Sequence, residues 1–196
     1  MPLQYFVVYK PFAVLCQFSP VGNKATLKDF FPVPTDVYPV GRLDFDSEGL
    51  LLLSNDKSLN QRLLTPRSAH EREYWVQVEG DISDDALVEL SSGTTISVDG
   101  KSYKTKPAKA ERFSTPPQVA ERNPPIRVRK NIPDTWIRLS LKEGKNRQVR
   151  KMTAKTGYPT LRLIRYRIEK LTLGNMQPGD IISLSRERTY ELLFGK

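Results

Sequence analysis

The chain has one cysteine, one histidine and no long apolar run, and each scarcity excludes something. A lone Cys16 rules out an internal disulfide framework and a zinc knuckle. With His70 the only imidazole, neither a histidine-rich metal site nor a His–His acid–base pair can form. The apolar stretch Gly49 to Leu53 is the length of a strand, far short of a membrane span. The N-terminus has no basic start, apolar stretch and small-residue cleavage site in series, so a cytoplasmic protein away from the membrane is expected. Gly144-Lys145 is followed by Asn146 and has no upstream glycine partner, which removes a Walker phosphate loop. No G-x-G-x-x-G precedes a helix, so a dinucleotide site is unsupported as well.

What is present begins with charge. The 196 residues carry 31 Lys and Arg against 22 Asp and Glu, a net of +9. Between Arg122 and Lys170 stand 15 bases and 3 acids, a local +12, so the remainder is slightly acidic. A basic segment on a nearly neutral body is the footprint of a polyanion-binding face. With 38% hydrophobic and 27% charged residues the chain is folded, as one domain or two small lobes sharing a core.

The pattern along the chain predicts α+β, with a mixed, mostly antiparallel central sheet flanked by helices. Strands are expected over Leu3 to Tyr9, Val14 to Phe18 and Gly49 to Leu53, the last fully buried. Ser54-Asn55-Asp56 offers caps for a short helix through Leu64, closed by Pro66, where a lobe boundary is placed (about 1–66 and 67–196). A strand from Glu73 to Glu79 follows, then a helix capped by Ser83 and ending before Gly93. Val98 to Phe113 reads as extended and Pro116 to Pro125 as a proline-rich loop. Trp136 to Lys142 alternates, with Ile137, Leu139 and Leu141 on one face. Leu161 to Ile168 is a further strand.

Lys145 to Thr156 reads as a helix stopped by Gly157. Its period puts Arg147, Arg150, Lys151 and Lys155 on one stripe and Val149, Met152, Thr153 and Thr156 on the other. The basic stripe suits either a phosphate seat or a solvated face. The acidic cluster Asp44, Asp46 and Glu48 imitates the first half of a calcium loop. The second half fails, with Leu52 and Asn55 at the ninth and twelfth positions. On spacing alone it is also a polar turn before a buried strand.

The stretch Gly41-Arg42-Leu43-Asp44-Phe45-Asp46-Ser47-Glu48-Gly49, running on to Asp56, resembles the signature of pseudouridine synthases related to the small-subunit rRNA enzyme. Two more motifs follow in order: Glu73-Tyr74-Trp75-Val76, and Glu143-Gly144-Lys145-Asn146-Arg147-Gln148-Val149-Arg150-Lys151-Met152. Tyr9-Lys10-Pro11-Phe12-Ala13 matches the family's opening strand and turn, with Ala13 where glycine is usual. The resemblance implies Asp44 as catalytic residue, Tyr74 as active-site tyrosine and Arg150 as the arginine that pairs with the aspartate. Most members carry an RNA-binding S4 domain before this strand; here the strand begins close to Met1, and a chain without that domain is expected. Arg122-Asn-Pro-Pro-Ile-Arg127 and Pro159 to Tyr166 resemble a short branch acting on the large ribosomal subunit, which implies isomerisation of one uridine in 23S rRNA.

That reaction requires no cofactor: one ionised carboxylate, held still, can serve as nucleophile or charge stabiliser. The target uridine must leave its stack to reach it. Tyr74 would offer a flat face to the extruded base. Arg42 would take a phosphate or fill the gap in the stack; the alternative is a surface pair with Asp46 or Glu48. Lys145, Asn146, Arg147, Lys151, Arg162, Arg165 and Arg167 would track the RNA backbone. No metal is expected, and nothing in the sequence demands more than a monomer.

Overall fold

A computed structural model describes residues 2–65, 69–126 and 131–195. Its strands and helices, in chain order, are β1 (Tyr5–Lys10), β2 (Tyr38–Val40), β3 (Glu48–Ser54), α1 (Lys57–Leu64), β4 (Arg72–Glu79) and α2 (Asp84–Ser92). There follow β5 (Thr95–Val98), β6 (Lys101–Lys104), β7 (Lys109–Arg112), β8 (Asp134–Leu141) and α3 (Gln148–Lys155). The chain ends with β9 (Thr160–Ile168), β10 (Leu171–Thr172), β11 (Ile181–Leu184) and α4 (Arg186–Phe194). The α+β class and the mostly antiparallel sheet agree with the pattern. The expected closure at Pro66, and Arg127, lie outside the described residues.

The chain divides into two compact units. The first is 1–70 with 165–196. Its strands run β11-β1-β3, with Tyr5 opposite Leu184 on one side and Ser54 on the other. β2 also pairs with β3, and β10 with the end of β9. Every residue of β3 is buried, as its unbroken apolar run predicts. Leu51 and Leu53 pack with Val8, Val14, Leu27, Phe31, Val37 and Leu43. Asp56 caps α1 through the amides of Ser58 and Leu59 and accepts the hydroxyls of Tyr5 (2.7 Å) and Tyr190 (2.8 Å). One carboxylate thus ties β1, α1 and α4 together.

The second unit is 71–164, with strand order β9-β4-β8-β7 and a separate β5–β6 hairpin. Val76, Val78, Ile137, Leu139, Val149 and Met152 form its core with Leu90 and Leu163. Ser83 caps α2 by accepting the Ala86 amide. The stretch expected to be extended from Val98 to Phe113 is broken into β5, β6 and β7, because Asp99 and Gly100 take φ +50° and +76° and turn the hairpin.

Two further expectations need correction. The lobe division at residue 66 assigned all that follows to the second lobe. Residues 165–196 instead return to the first unit, because β11 completes the edge of β1. Val14 to Phe18 forms no strand, only an isolated bridge from Leu15 to Thr26. The fully buried Lys10 ammonium draws the carbonyls of Pro11 (2.8 Å) and Val14 (2.7 Å) into a turn instead. Ala13 sits in that turn at φ +56°, the left-handed region that favours glycine.

No helix among the described residues is long and apolar enough to cross a membrane.

Candidate active site

The motif bearing Asp44 lies between β2 and β3 in the first unit. Leu43 is buried in the core beneath it, which fixes where the next residue emerges. Asp44 itself is half-buried, and its carbonyl accepts the Ser47 amide at 3.1 Å, folding 44–47 into a turn. Arg42 and Phe45 are exposed, and Lys24 lies over the Phe45 ring at 5.3 Å. Gly49 follows at φ +108°. A Cβ there would lie 2.4 Å from the Arg165 carbonyl oxygen, so only glycine lets the two backbones approach.

Two buried cations stand by this motif. Arg165 is 5% exposed; its Nε donates to the Leu50 carbonyl at 2.8 Å and its Nη1 lies 3.5 Å from the Arg42 carbonyl. Burial pushes the Lys10 ammonium down to about 8, against the upward pull of Cys16, Glu48, Asp46 and Asp44. The acids of the motif therefore lie within electrostatic reach of Lys10.

Tyr74 and Arg150 belong to the second unit. Tyr74 is half-buried on β4 opposite Leu139 of β8, on the face shared with Val76 and Val78. It packs on the cluster that holds Val149 and Met152, so the strand bearing Tyr74 and the helix bearing Arg150 share one core. Arg150 is half-buried, with its Nη1 3.5 Å from the Thr160 carbonyl.

The helix expected from Lys145 begins three residues later. Arg147 takes φ +52°, ψ +32° and stands as its N-cap, a conformation that a right-handed helix cannot contain. Lys145, Asn146 and Arg147 are accordingly an exposed turn, while Lys151 is half-buried on α3. Val149, Met152 and Thr153 face inward as the period predicts, joined by Gln148.

Arg162 and Arg165, expected along an RNA backbone, are each 5% exposed. They sit in β9 among Leu163, Ile164 and Ile168, where the strand is buried. Arg167 is half-buried and donates to the Glu169 carbonyl at 2.6 Å.

Sequence reasoning gave no role to Lys10, Glu143 or Gln148, although all three lie within the quoted motifs. The signal for Lys10 is a charged residue ending an apolar strand; for Glu143 it is a rare acid within a basic segment.

Among the described residues no group of three or more His, Cys, Asp or Glu is placed to hold a metal ion.

Residues 4–155 match the family model for RNA pseudouridylate synthase. Over 87% of its length the chain is 48% identical to ribosomal large subunit pseudouridine synthase E of Vibrio parahaemolyticus and of Xanthomonas campestris, spanning 69% and 89% of those proteins. It is 32% identical to ribosomal large subunit pseudouridine synthase B of Bacillus subtilis, over 92% of this chain and 68% of that one. A crystal structure of a pseudouridylate synthase is similar over 98% of this chain and 74% of the other, with a TM-score of 0.78 and 25% identity. With these matches spanning both units, the chain belongs to the RNA pseudouridylate synthase family and is an RNA pseudouridine synthase, an isomerase.

Proposed function

We propose that the protein, a cytoplasmic monomer, isomerises one specific uridine of 23S rRNA to pseudouridine, with Asp44 as the catalytic carboxylate and the target base flipped from its stack. The observation that carries this reading is the 48% identity, over 87% of the chain, to relatives named ribosomal large subunit pseudouridine synthase E.

In the reaction the N1–C1′ bond breaks, the uracil turns and C5 joins C1′. C5 gives up its proton and N1 gains one, so the atoms balance without redox chemistry or a cofactor. Attack at C1′, attack at C6 and elimination toward a glycal each call on one ionised carboxylate held still. Asp44 suits that role on its short turn above buried Leu43. Arg150 contributes the guanidinium that keeps a working carboxylate ionised. Tyr74 offers a ring face to the extruded base, and its hydroxyl assists proton removal at C5. Exposed Arg42 takes a phosphate or fills the vacated stack. Lys145, Asn146, Arg147, Lys151 and Arg167 contact the RNA backbone. Arg162 and Arg165, being buried, act from behind the surface.

The test uses purified protein and transcribed, protein-free 23S rRNA, with pseudouridine mapped by an adduct that stops reverse transcription. A single new stop is expected, absent with Asp44→Asn although that variant still binds RNA. A stop that persists in the variant removes Asp44 from the chemistry. No stop on naked rRNA or on partly assembled large-subunit particles overturns the rRNA reading.

A further inference from the structure

The segment from Glu143 to Arg147 joins β8 to α3, and Lys145, Asn146 and Arg147 stand exposed on it. Fixing the backbone of such a loop costs conformational entropy, so something must hold it. Both of its ends are tied. The Glu143 carboxylate accepts three hydrogen bonds from three stretches of chain: the Tyr103 hydroxyl (2.6 Å), the Lys106 amide (2.9 Å) and Gln148 Nε2 (2.7 Å). Gln148, 4% exposed, turns its Oε1 to the Lys145 amide at 2.9 Å. The Lys145 ammonium lies 4.8 Å from the centre of the Tyr103 ring, within cation–π range. Burial pushes the Glu143 carboxyl up, but the bonds from Tyr103, Lys106 and Gln148 outweigh it and hold its pKa below the usual range.

An acid on a face that meets RNA opposes binding, and only three acids lie between Arg122 and Lys170. Glu143 is partly buried, and its oxygens are occupied by donors from the β5–β6 hairpin, from the residues after it and from α3. Its effect is on the shape of the basic loop.

We infer that Glu143 is a positioning residue: with Tyr103 and Gln148 it holds the Lys145–Arg147 loop in the form that meets RNA phosphates, so that the β5–β6 hairpin governs substrate affinity and leaves the chemical step alone. The inference rests on the RNA-modifying reading above.

The test uses the full chain and transcribed 23S rRNA, with kcat and KM for pseudouridine formation and Kd by filter binding across a salt series. Glu143→Gln is expected to raise KM and Kd roughly tenfold and to flatten the salt slope by about 1, as loss of one phosphate contact does. Its kcat should stay within about twofold of wild type, because uniform binding is what it removes. Tyr103→Phe keeps the ring over Lys145 and should shift KM and Kd the same way by less. The double variant should bind no more weakly than Glu143→Gln alone, because the hydroxyl acts through the carboxylate.

Unchanged KM, Kd and salt slope in both variants would overturn the inference, whatever happens to the melting temperature. So would a fall in kcat at constant KM. If Glu143→Gln does not fold, the Tyr103→Phe measurements decide alone. Wild-type protein that binds the RNA without forming pseudouridine overturns the rRNA reading instead, and Kd and salt slope then decide this inference separately.

Discussion

By the Asp44 motif of the first unit stand two buried cations, Lys10 and Arg165, whose donors go to the carbonyls of Pro11, Val14 and Leu50. Beneath the basic loop of the second unit the supporting charge is an anion, Glu143, which collects one hydroxyl, one backbone amide and one side-chain amide. Ammonium and guanidinium groups can only donate, and an ionised carboxylate can only accept. Each support therefore fixes the opposite half of the backbone's hydrogen-bonding groups. Each also carries the charge opposite to that of its neighbours: half-buried Asp44 and Asp46 with buried Glu48 in one case, exposed Lys142, Lys145 and Arg147 in the other. A segment that must gather like charges is steadied by a counter-charge set behind it.

The largest expected effect tests whether the first arrangement needs its close backbone approach. Gly49→Ala places a Cβ 2.4 Å from the Arg165 carbonyl oxygen at φ +108°. It should cost about 4 kcal/mol or more, or abolish folding, as read by urea unfolding. A loss under about 1 kcal/mol would show that the approach is incidental.

Next in size, Arg165→Met leaves the Leu50 carbonyl without its guanidinium donor and should cost about 1–3 kcal/mol. If Arg165 steadies the Asp44 turn, kcat should fall by roughly 10²-fold with KM little changed, the reverse of the pattern expected for Glu143→Gln. A matching rise in KM would erase the distinction between the two supports.

At neutral pH the smallest effect is one that grows as pH rises. Folded Lys10 titrates near 8, below the ordinary value of 10.5. From about pH 8 upward the folded protein has released this proton while the unfolded chain still holds it, so stability rises with pH until the unfolded lysine titrates too. Compared with Lys10→Met, wild type should gain up to about 1.4 kcal/mol per pH unit in that window. Parallel stability curves for the two proteins would mean that Lys10 keeps an ordinary affinity for its proton.

Much of the frame is legible in the sequence. The run Leu50 to Leu53, the alternation of Ile137, Leu139 and Leu141, and the caps at Asp56 and Ser83 each follow from local chemistry and stand where the pattern puts them. Asp44, Tyr74 and Arg150 are singled out by the resemblance of three ordered motifs, since spacing alone leaves the Asp44 cluster a polar turn before a buried strand. What escapes is the destination of charged side chains. Arg162 and Arg165 look like surface charge because composition counts an arginine the same whether its donors meet water or a carbonyl. The turn at Lys145–Arg147 escapes because a left-handed Arg147 breaks a helical period that the residue types continue without interruption. The return of 165–196 to the first unit escapes for a different reason. It depends on β11 pairing with β1 across most of the chain, and no local rule reaches that far.

That return has a consequence for synthesis. Residues 71–164 form a unit inserted within another, so the inserted unit is complete on the growing chain before Arg165 is added. The host unit must wait, with β1 lacking its partner until Ile181–Leu184 emerge. Within the insert β4 and β9 are neighbouring strands, and the Glu79 amide at the end of β4 donates to the Pro159 carbonyl just before β9. The strands therefore run antiparallel, and the chain leaves on the side where it entered. The closure that completes the host then spans a short gap instead of a floppy loop of 94 residues, and its entropy cost shrinks accordingly. The order of assembly is thus written into the topology: guest first, host last.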